Sequence, residues 1–341
     1  MNREALVRLL SLLAAPVYSG LGSILCQHRV VPVDQLSPLP ENRSIELTTD
    51  SLRAILEWVR RRGLEPITLD EMPARIANPR KPKFILFTFD DGYRDNLTHA
   101  LPIFREFGVP FSVNPTTGFI SRTEPVWWYA VERALLAVTS VKFDIGGVPH
   151  EYSWKAQTNS RNDTLQTIAK YVRNLEPAKR NPFVGAFCAA AGIDPVKVSD
   201  DMMMTWDEVR RLASDSLVTI GAHSGGHYDL RLFTEEKARE ELRSSKQALE
   251  KEIGREVHHL AYPFGGKNAV GEREFRIVKE CGFQTAQTTR AGNLFRAHRH
   301  HLHALPRLGV SGNYPAVARL EKLQSGLLPA VEHRFRRVVT A

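Results

Sequence analysis

Residues 83–92 read Lys83-Phe84-Ile85-Leu86-Phe87-Thr88-Phe89-Asp90-Asp91-Gly92. An apolar run stops abruptly at two neighbouring carboxylates and a glycine. A run of this length, bounded by turn residues, reads as a buried strand. A buried parallel strand delivers its C-terminal residues to the ligand-binding end of an α/β domain. Two adjacent acids there repel each other and lose hydration, so something must offset both costs. A metal ion is the usual answer. The run therefore predicts a site where one Asp binds metal and the other moves a proton.

Outward from this run, strand-like and helix-like segments alternate. Ile24 to Val31 reads as a first strand, carrying His28 and Arg29. Thr49-Asp50-Ser51 caps a helix from Leu52 to Arg62, which Gly63 stops. After the Phe84–Phe89 strand come a helix over Asn96–Phe107, a stop at Gly108 and a strand over Val109–Asn114. That order favours a parallel sheet with right-handed crossovers. The pattern resumes at Trp206, with a helix to Ala213. Strands are expected at Val218–Ala222, His259–Tyr262, Phe283–Gln287 and Leu305–Val310, and a long helix over Thr234–Ile253. Residues 139–205 lack this alternation and read as a mainly helical insertion. The chain thus divides into a helical segment 1–23, an α/β unit in two parts, 24–138 and 206–312, around the insertion 139–205, and a basic amphipathic tail 313–341.

With 43% hydrophobic and 25% charged residues in 341, a sizeable core is affordable only in a globular chain, and this composition supplies one. A net charge of +8 permits binding to nucleic acid or anionic surfaces. The basic clusters, Arg60 to Arg62, Arg296 to Arg307 and Arg334 to Arg337, accompany no recognition motif. They read as solvated faces, and nucleic acid is not an expected partner. Cys26, Cys188 and Cys281 are too far apart for a disulfide framework or a zinc ribbon, which suits a reducing, cytoplasmic setting. Arg3 and Arg8 precede a charge-free stretch, Leu9 to Gln27. Pro16, Ser19, Gly20, Gly22 and Ser23 interrupt it, so a helix from Glu4 to about Ala15 followed by a strand is favoured over a targeting segment. Export or anchoring through that segment is the alternative. Peripheral membrane contact through the first helix or the basic tail is compatible with either.

Three strands end in chemically useful residues: Asp90-Asp91, then His223-Ser224-Gly225-Gly226-His227, then Tyr262-Pro263-Phe264-Gly265-Gly266. In an α/β barrel such ends converge on one face. Gly225-Gly226 argues for a tight loop that turns both imidazoles inward. Two His and one Asp suit zinc and related divalent ions and leave coordination positions open. Taken alone, the histidine pair is equally compatible with two polar loop residues.

Together the three motifs resemble those of the polysaccharide deacetylases, the carbohydrate esterase family that includes the nodulation chitooligosaccharide deacetylases. Thr88-Phe89-Asp90-Asp91-Gly92 matches the first family motif, His223-Ser224-Gly225-Gly226-His227 the second, and Pro263-Phe264-Gly265 the end of the third. The resemblance spans about residues 24–310 apart from the insertion. It implies a distorted (β/α) barrel and a metal-dependent hydrolase that removes N-acetyl groups from a GlcNAc-containing oligo- or polysaccharide. Asp91, His223 and His227 would bind the metal, zinc by preference, and Asp90 would be the general base for a metal-activated water. The Phe264 N–H would stabilise the oxyanion, with Pro263 and Phe264 beside the substrate.

Two departures stand out. The third motif of the family often begins with an Arg that orients the catalytic Asp, and here that position is Ala261. Arg307 either replaces it in space or forms a structural salt bridge. The family's general acid is often a His preceded by Leu. His303, after Leu302, is the choice among His298, His300, His301 and His303; a solvated loop or an anion-binding patch is the rival reading of that cluster. His28 either lines the site or is structural. Asp95 can orient Arg94 or a group behind the site. Trp127, with Trp128 and Tyr129, can stack on sugar rings, although core packing is preferred. Variant functions keep the chemistry on an O-acetyl ester or a lipid-linked surface-polysaccharide precursor. A non-catalytic, metal-retaining glycan-binding protein is the reading from another class.

Overall fold

Seven parallel strands form the centre of the molecule: β1 Gly22–Gln27, β2 Phe84–Asp91, β3 Phe111–Pro115, β4 Val218–Ile220, β5 His259–Ala261, β6 Thr285–Ala291 and β7 Leu305–Gly309. Their spatial order is β5-β6-β7-β1-β2-β3-β4. Just beyond β4, Ala222 bridges β5. Its N–H donates to His259 O, and Ala261 N–H donates to Ala222 O, both at 2.9 Å. This short seam nearly closes the sheet into the expected (β/α) barrel. The computed structural model describes residues 3–340, with side chains from Leu10 onward. Met1, Asn2 and Ala341, the extremes of the segments 1–23 and 313–341, lie outside the described residues.

The strand period of two decides what faces the barrel interior. Along β2 the outward residues Ile85, Phe87 and Phe89 join the main core with Leu25, Val113 and Leu308 of neighbouring strands. The inward residues Phe84 and Leu86 form a floor plug with Ile24 and Leu305. Continuing up that inward file gives Thr88 and Asp90. The same alternation brings Cys26 from β1, Asn114 from β3 and Arg307 from β7 into the upper barrel. Outside, Phe104 stacks on Phe111 with ring centroids 4.3 Å apart, and both sit at Phe89. Each buried ring of this kind stabilises the fold by roughly 1.5–3 kcal/mol.

Several elements differ from the sequence expectation. The first strand breaks at His28, because the β2 ladder that supports β1 pairs it only as far as Gln27, opposite Phe89. Arg29–Val31 then pairs with Glu46–Thr48 in a separate ribbon. β6 starts later and runs further than expected, with an irregularity between Gln287 and Ala291. Residues 139–205 contain, besides three helices, the antiparallel hairpin Ser140–Ile145/Val148–Ser153. Gly146 and Gly147, at φ 60° and 83°, make its turn, which L-residues with a Cβ rarely adopt. These elements and the helix Trp127–Ala137 share a hydrophobic core of their own.

The tail folds into helices Ala316–Gln324 and Leu327–Glu332. Ala316, Leu320 and Leu323 are buried in the main core, so that apolar face packs on the barrel. The first helix, Arg3–Tyr18, is longer than expected and exposes Leu12 and Leu13. Among the described residues, no helix is long and apolar enough to cross a membrane. All three cysteines are buried and unpaired.

Candidate active site

Four non-glycine residues at the C-terminal mouth of the barrel occupy the left-handed region: Asp91 (φ 73°), Ser224 (62°), His227 (53°) and Phe264 (60°). Such backbone costs on the order of 1–3 kcal/mol per residue and persists only where surrounding structure enforces it. All four belong to the three motifs; Asp91, His227 and Phe264 line one cavity, while Ser224 Oγ accepts from His227 N–H at 3.1 Å.

His223 Nε2 and His227 Nε2 each lie 3.4 Å from Asp91 Oδ1. That oxygen is buried and has no hydrogen-bond partner among the described residues. The Nδ1–H of His223 donates to Ala261 O at 2.8 Å, which leaves the Nε2 lone pair facing Asp91. Thus Ala261, standing where the family motif often has Arg, serves through its carbonyl. The His227 ring is boxed by Phe264, Trp128 and Phe119, at centroid distances of 4.9, 5.2 and 5.7 Å. Burial pushes His227 down to about 3 against the pull of Asp91, so its ring is neutral and available as a ligand. An orphaned carboxylate oxygen facing two imidazole nitrogens fits a divalent cation with open positions, and the donor set suits zinc and its neighbours alike.

The histidine loop is held from the insertion. Arg180, on the helix Pro177–Ala189, donates to the carbonyls of Gly226 and His227 at 2.7 and 3.0 Å and pairs with Glu124 at 2.7 Å. Glu241 accepts from Gly226 N–H. The sequence reading missed both residues, because their partners are backbone groups far along the chain.

Asp90 is 1% exposed. Arg307 donates to its two oxygens at 2.9 and 2.7 Å, and Asn114 Nδ2 donates at 2.8 Å. Cys26 Sγ stands 3.7 Å away. Arg307 is itself braced by Thr288 O at 2.9 Å and Thr88 Oγ1 at 3.2 Å. Burial works to raise the Asp90 carboxyl, but Arg307, then His223, outweigh it and hold the group well below the usual carboxylate range. Asp90 is therefore an ionised acceptor. The signal for Asn114 was present in the sequence, a polar residue ending an apolar strand.

Asp90, Asp91, His223 and His227 line a cavity of about 240 Å³ together with His28 and Phe264. Trp128 and Leu165 of the insertion core and Asn42 of the short helix Pro40–Arg43 wall it. Phe264 N–H is not taken by another described residue, and Pro263 is buried behind it. Two expectations need correction. His303 precedes β7 and so lies at the opposite end of the strands; its Nε2 meets Phe283 O at 2.8 Å. Trp127 is 1% exposed and packs in the insertion core, the preferred reading, while it also borders the catalytic cavity. Asp95 binds Arg29 and Val30 N–H, both at 2.9 Å, while Arg94 pairs with Glu208. A larger cavity of about 1010 Å³ lies at the barrel floor, between the first helix and the tail, and contains none of the motif residues.

A family model described as "Polysaccharide deacetylase" matches residues 77–286. The chain is 21% identical over 277 residues to poly-beta-1,6-N-acetyl-D-glucosamine N-deacetylase of Escherichia coli K12, covering 80% of this chain and 35% of that protein. It spans about a third of the length of the curated relatives it matches. Among solved structures, Streptococcus pyogenes deacetylase PplD in complex with acetate superposes with a TM-score of 0.58 at 16% identity, covering 89% of this chain and 97% of that one. IcaB from Ammonifex degensii gives 0.53 at 16%, covering 88% and 96%. Likeness at that identity speaks to the fold.

Proposed function

The chain belongs to the polysaccharide deacetylase family, and on that premise we propose that it is a metal-dependent hydrolase releasing acetate from N-acetyl groups of a GlcNAc-containing oligo- or polysaccharide. The observation that carries this reading is the convergence of Asp91, His223 and His227 on one point, beside a buried, ionised Asp90. A divalent cation held by those three residues would polarise an acetamide carbonyl and make water a usable nucleophile near neutral pH. Asp90 accepts the proton from the attacking water, while Arg307 and Asn114 hold its oxygens in line. The free Phe264 N–H donates to the oxygen on which charge develops. His28, whose ring lines the same cavity within reach of Asp90, is held below its usual range by burial and so starts neutral; it would relay the proton taken up by Asp90 to the departing amine. The main grounds for a non-catalytic, glycan-binding reading were a missing Arg and an unassigned acid. The Arg307 pair and the placement of His28 weigh against it.

The relative from Escherichia coli is named for a β-1,6-linked polymer, so β-1,6-linked and β-1,4-linked GlcNAc oligomers are the first substrates to offer. The metal-loaded protein is expected to release acetate from at least one of them, and the Asp90→Asn variant is not. Equal release from both proteins would sink the assignment of Asp90; no release from any N-acetylated oligomer would sink the activity.

A further inference from the structure

The catalytic cavity does not end at the metal site. A second cavity of about 550 Å³ shares Glu41, Ala169, Arg173, Phe264 and Thr289 with it, so the two form one continuous groove. Five cations line the outer part, Lys170, Arg173, Arg231, Lys267 and Arg290, against three carboxylates, Glu41, Asp229 and Glu332. Pairing removes only part of this excess. Asp229 takes Arg231 through two side-chain hydrogen bonds, and Glu41 stands 4.0 Å from Arg173. Lys170 and Lys267 have no ion-pair partner among the described residues.

Arg290 is the most informative member. It is 6% exposed, yet it meets no carboxylate among the described residues. Its guanidinium donates to the carbonyls of Val270 and Thr340, and its Nε has no partner. A buried cation with no carboxylate in contact among the described residues, Glu272 acting on it only at a distance, is costly to maintain. Arg173 stands where the two cavities meet, its guanidinium 5.2 Å from the Phe264 ring centroid. The same phenylalanine supplies the N–H described above.

We propose that this outer groove is a subsite for an anionic group, a carboxylate or phosphate carried by the glycan about one sugar away from the acetamide being cleaved. A groove with an excess of one sign of charge, here five cations against three carboxylates, concentrates ligands of the other sign. The reaction itself sharpens the selection. Hydrolysis breaks the acetamide C–N bond, water supplies the oxygen of acetate, and the amine takes up a proton. A neighbouring sugar that has already reacted therefore carries a positive charge, which the groove repels. The enzyme would act on sparsely deacetylated, acidic glycan rather than sliding along its own product.

The inference rests on the deacetylase reading, but its test separates the two. The metal-loaded full chain carrying Asp90→Asn is titrated with three oligosaccharides of matched length. One is neutral chitotetraose, one alternates GlcNAc with glucuronate, and one is a GlcNAc oligomer ending in a phosphate. At least one anionic oligomer is expected to bind about tenfold more tightly than the neutral one, with the preference shrinking as salt rises. Which of the two does so identifies the source of the charge. Adding Lys170→Ala and Lys267→Ala, both at exposed positions, should abolish the preference and leave neutral binding within about twofold. Equal binding of all three, failure of both anionic oligomers to bind, or an equal loss for neutral and anionic ligands in the double variant would overturn the subsite. Acetate release by the protein with native Asp90, measured in parallel, reports on the deacetylase reading alone. Charge-selective binding without release would remove the activity and keep the subsite.

Discussion

Arg307 grips Asp90 with two hydrogen bonds, at 2.9 and 2.7 Å, from a position 217 residues further along the chain. The two residues sit on β7 and β2, which flank β1. The guanidinium crosses β1 where its inward residue is the small Cys26, whose sulfur lies 3.7 Å from the carboxylate. Both partners are almost fully shielded from water. The ion pair is therefore a bidentate contact in a low-dielectric setting, where geometry counts most.

Removing one member of this pair should be expensive. Arg307→Met leaves Asp90 buried without a counter-charge, with an expected loss of about 3–5 kcal/mol. Urea denaturation measures it. Arg307→Lys keeps the charge but loses the planar fork, so kcat should fall more than stability does. Wild-type stability in the Met variant would show that the pair neither orients nor neutralises Asp90.

The metal assignment predicts a defined response to chelation. A chelator should end acetate release and lower Tm, because a ligand bound only to the native state stabilises it by mass action. Zinc added back should restore both. The double variant His223→Ala, His227→Ala should retain no stoichiometric metal after purification, as read by elemental analysis. Full occupancy in that variant would refute the ligand set.

His28 has a separable role. His28→Gln should bind metal at the wild-type stoichiometry, because the ring is outside the Asp91–His223–His227 set. Its kcat should fall by roughly 10²–10⁴, the range for a general acid or base. Unchanged kcat would return His28 to a structural residue.

Glu132 makes stability depend on pH. Its carboxylate accepts from Ser37 Oγ and Asn42 Nδ2 and so ties the segment that walls the cavity to the helix Trp127–Ala137. Burial raises its pKa from 4.5 to about 7, against the hydrogen bonds from Ser37 and Asn42. Between those values the unfolded chain has released the proton and the folded chain still holds it. Stability is therefore highest below pH 4.5 with respect to this group and declines as pH rises toward 7, by as much as about 3 kcal/mol. Glu132→Gln should flatten that part of the stability curve in denaturation experiments across pH 4.5–7. An unchanged slope would exclude Glu132 as its source.

The legible part of the site was the part carried by local runs. Thr88 to Gly92 and His223 to His227 are short stretches in which residue type and strand end coincide, so the proposed metal ligands and base were readable without a fold. The hairpin over Ser140–Ser153 was missed although Ser140–Ile145 alternates polar and apolar residues before Gly146-Gly147; its second strand, Val148–Ser153, is largely exposed and carries no such pattern. His303 had the expected neighbour, Leu302, but stands before its strand rather than after it. The expected strand at Leu305–Val310 already placed His303 before it, so the conflict was legible in the residue order.

By itself, the sequence determined the alternating strands and helices, the converging motifs and the donor types for a metal. These follow from periodicity and from chemistry confined to a few adjacent residues. Only the tertiary structure decided that Arg307 takes the position open beside Asp90, that Asn114 completes the grip, and that Arg180 holds the histidine loop. A strand's pattern states which side chains share its inward face. It does not state which strands will be neighbours, and here the sheet order β7-β1-β2 brings together charges that the chain keeps 217 residues apart.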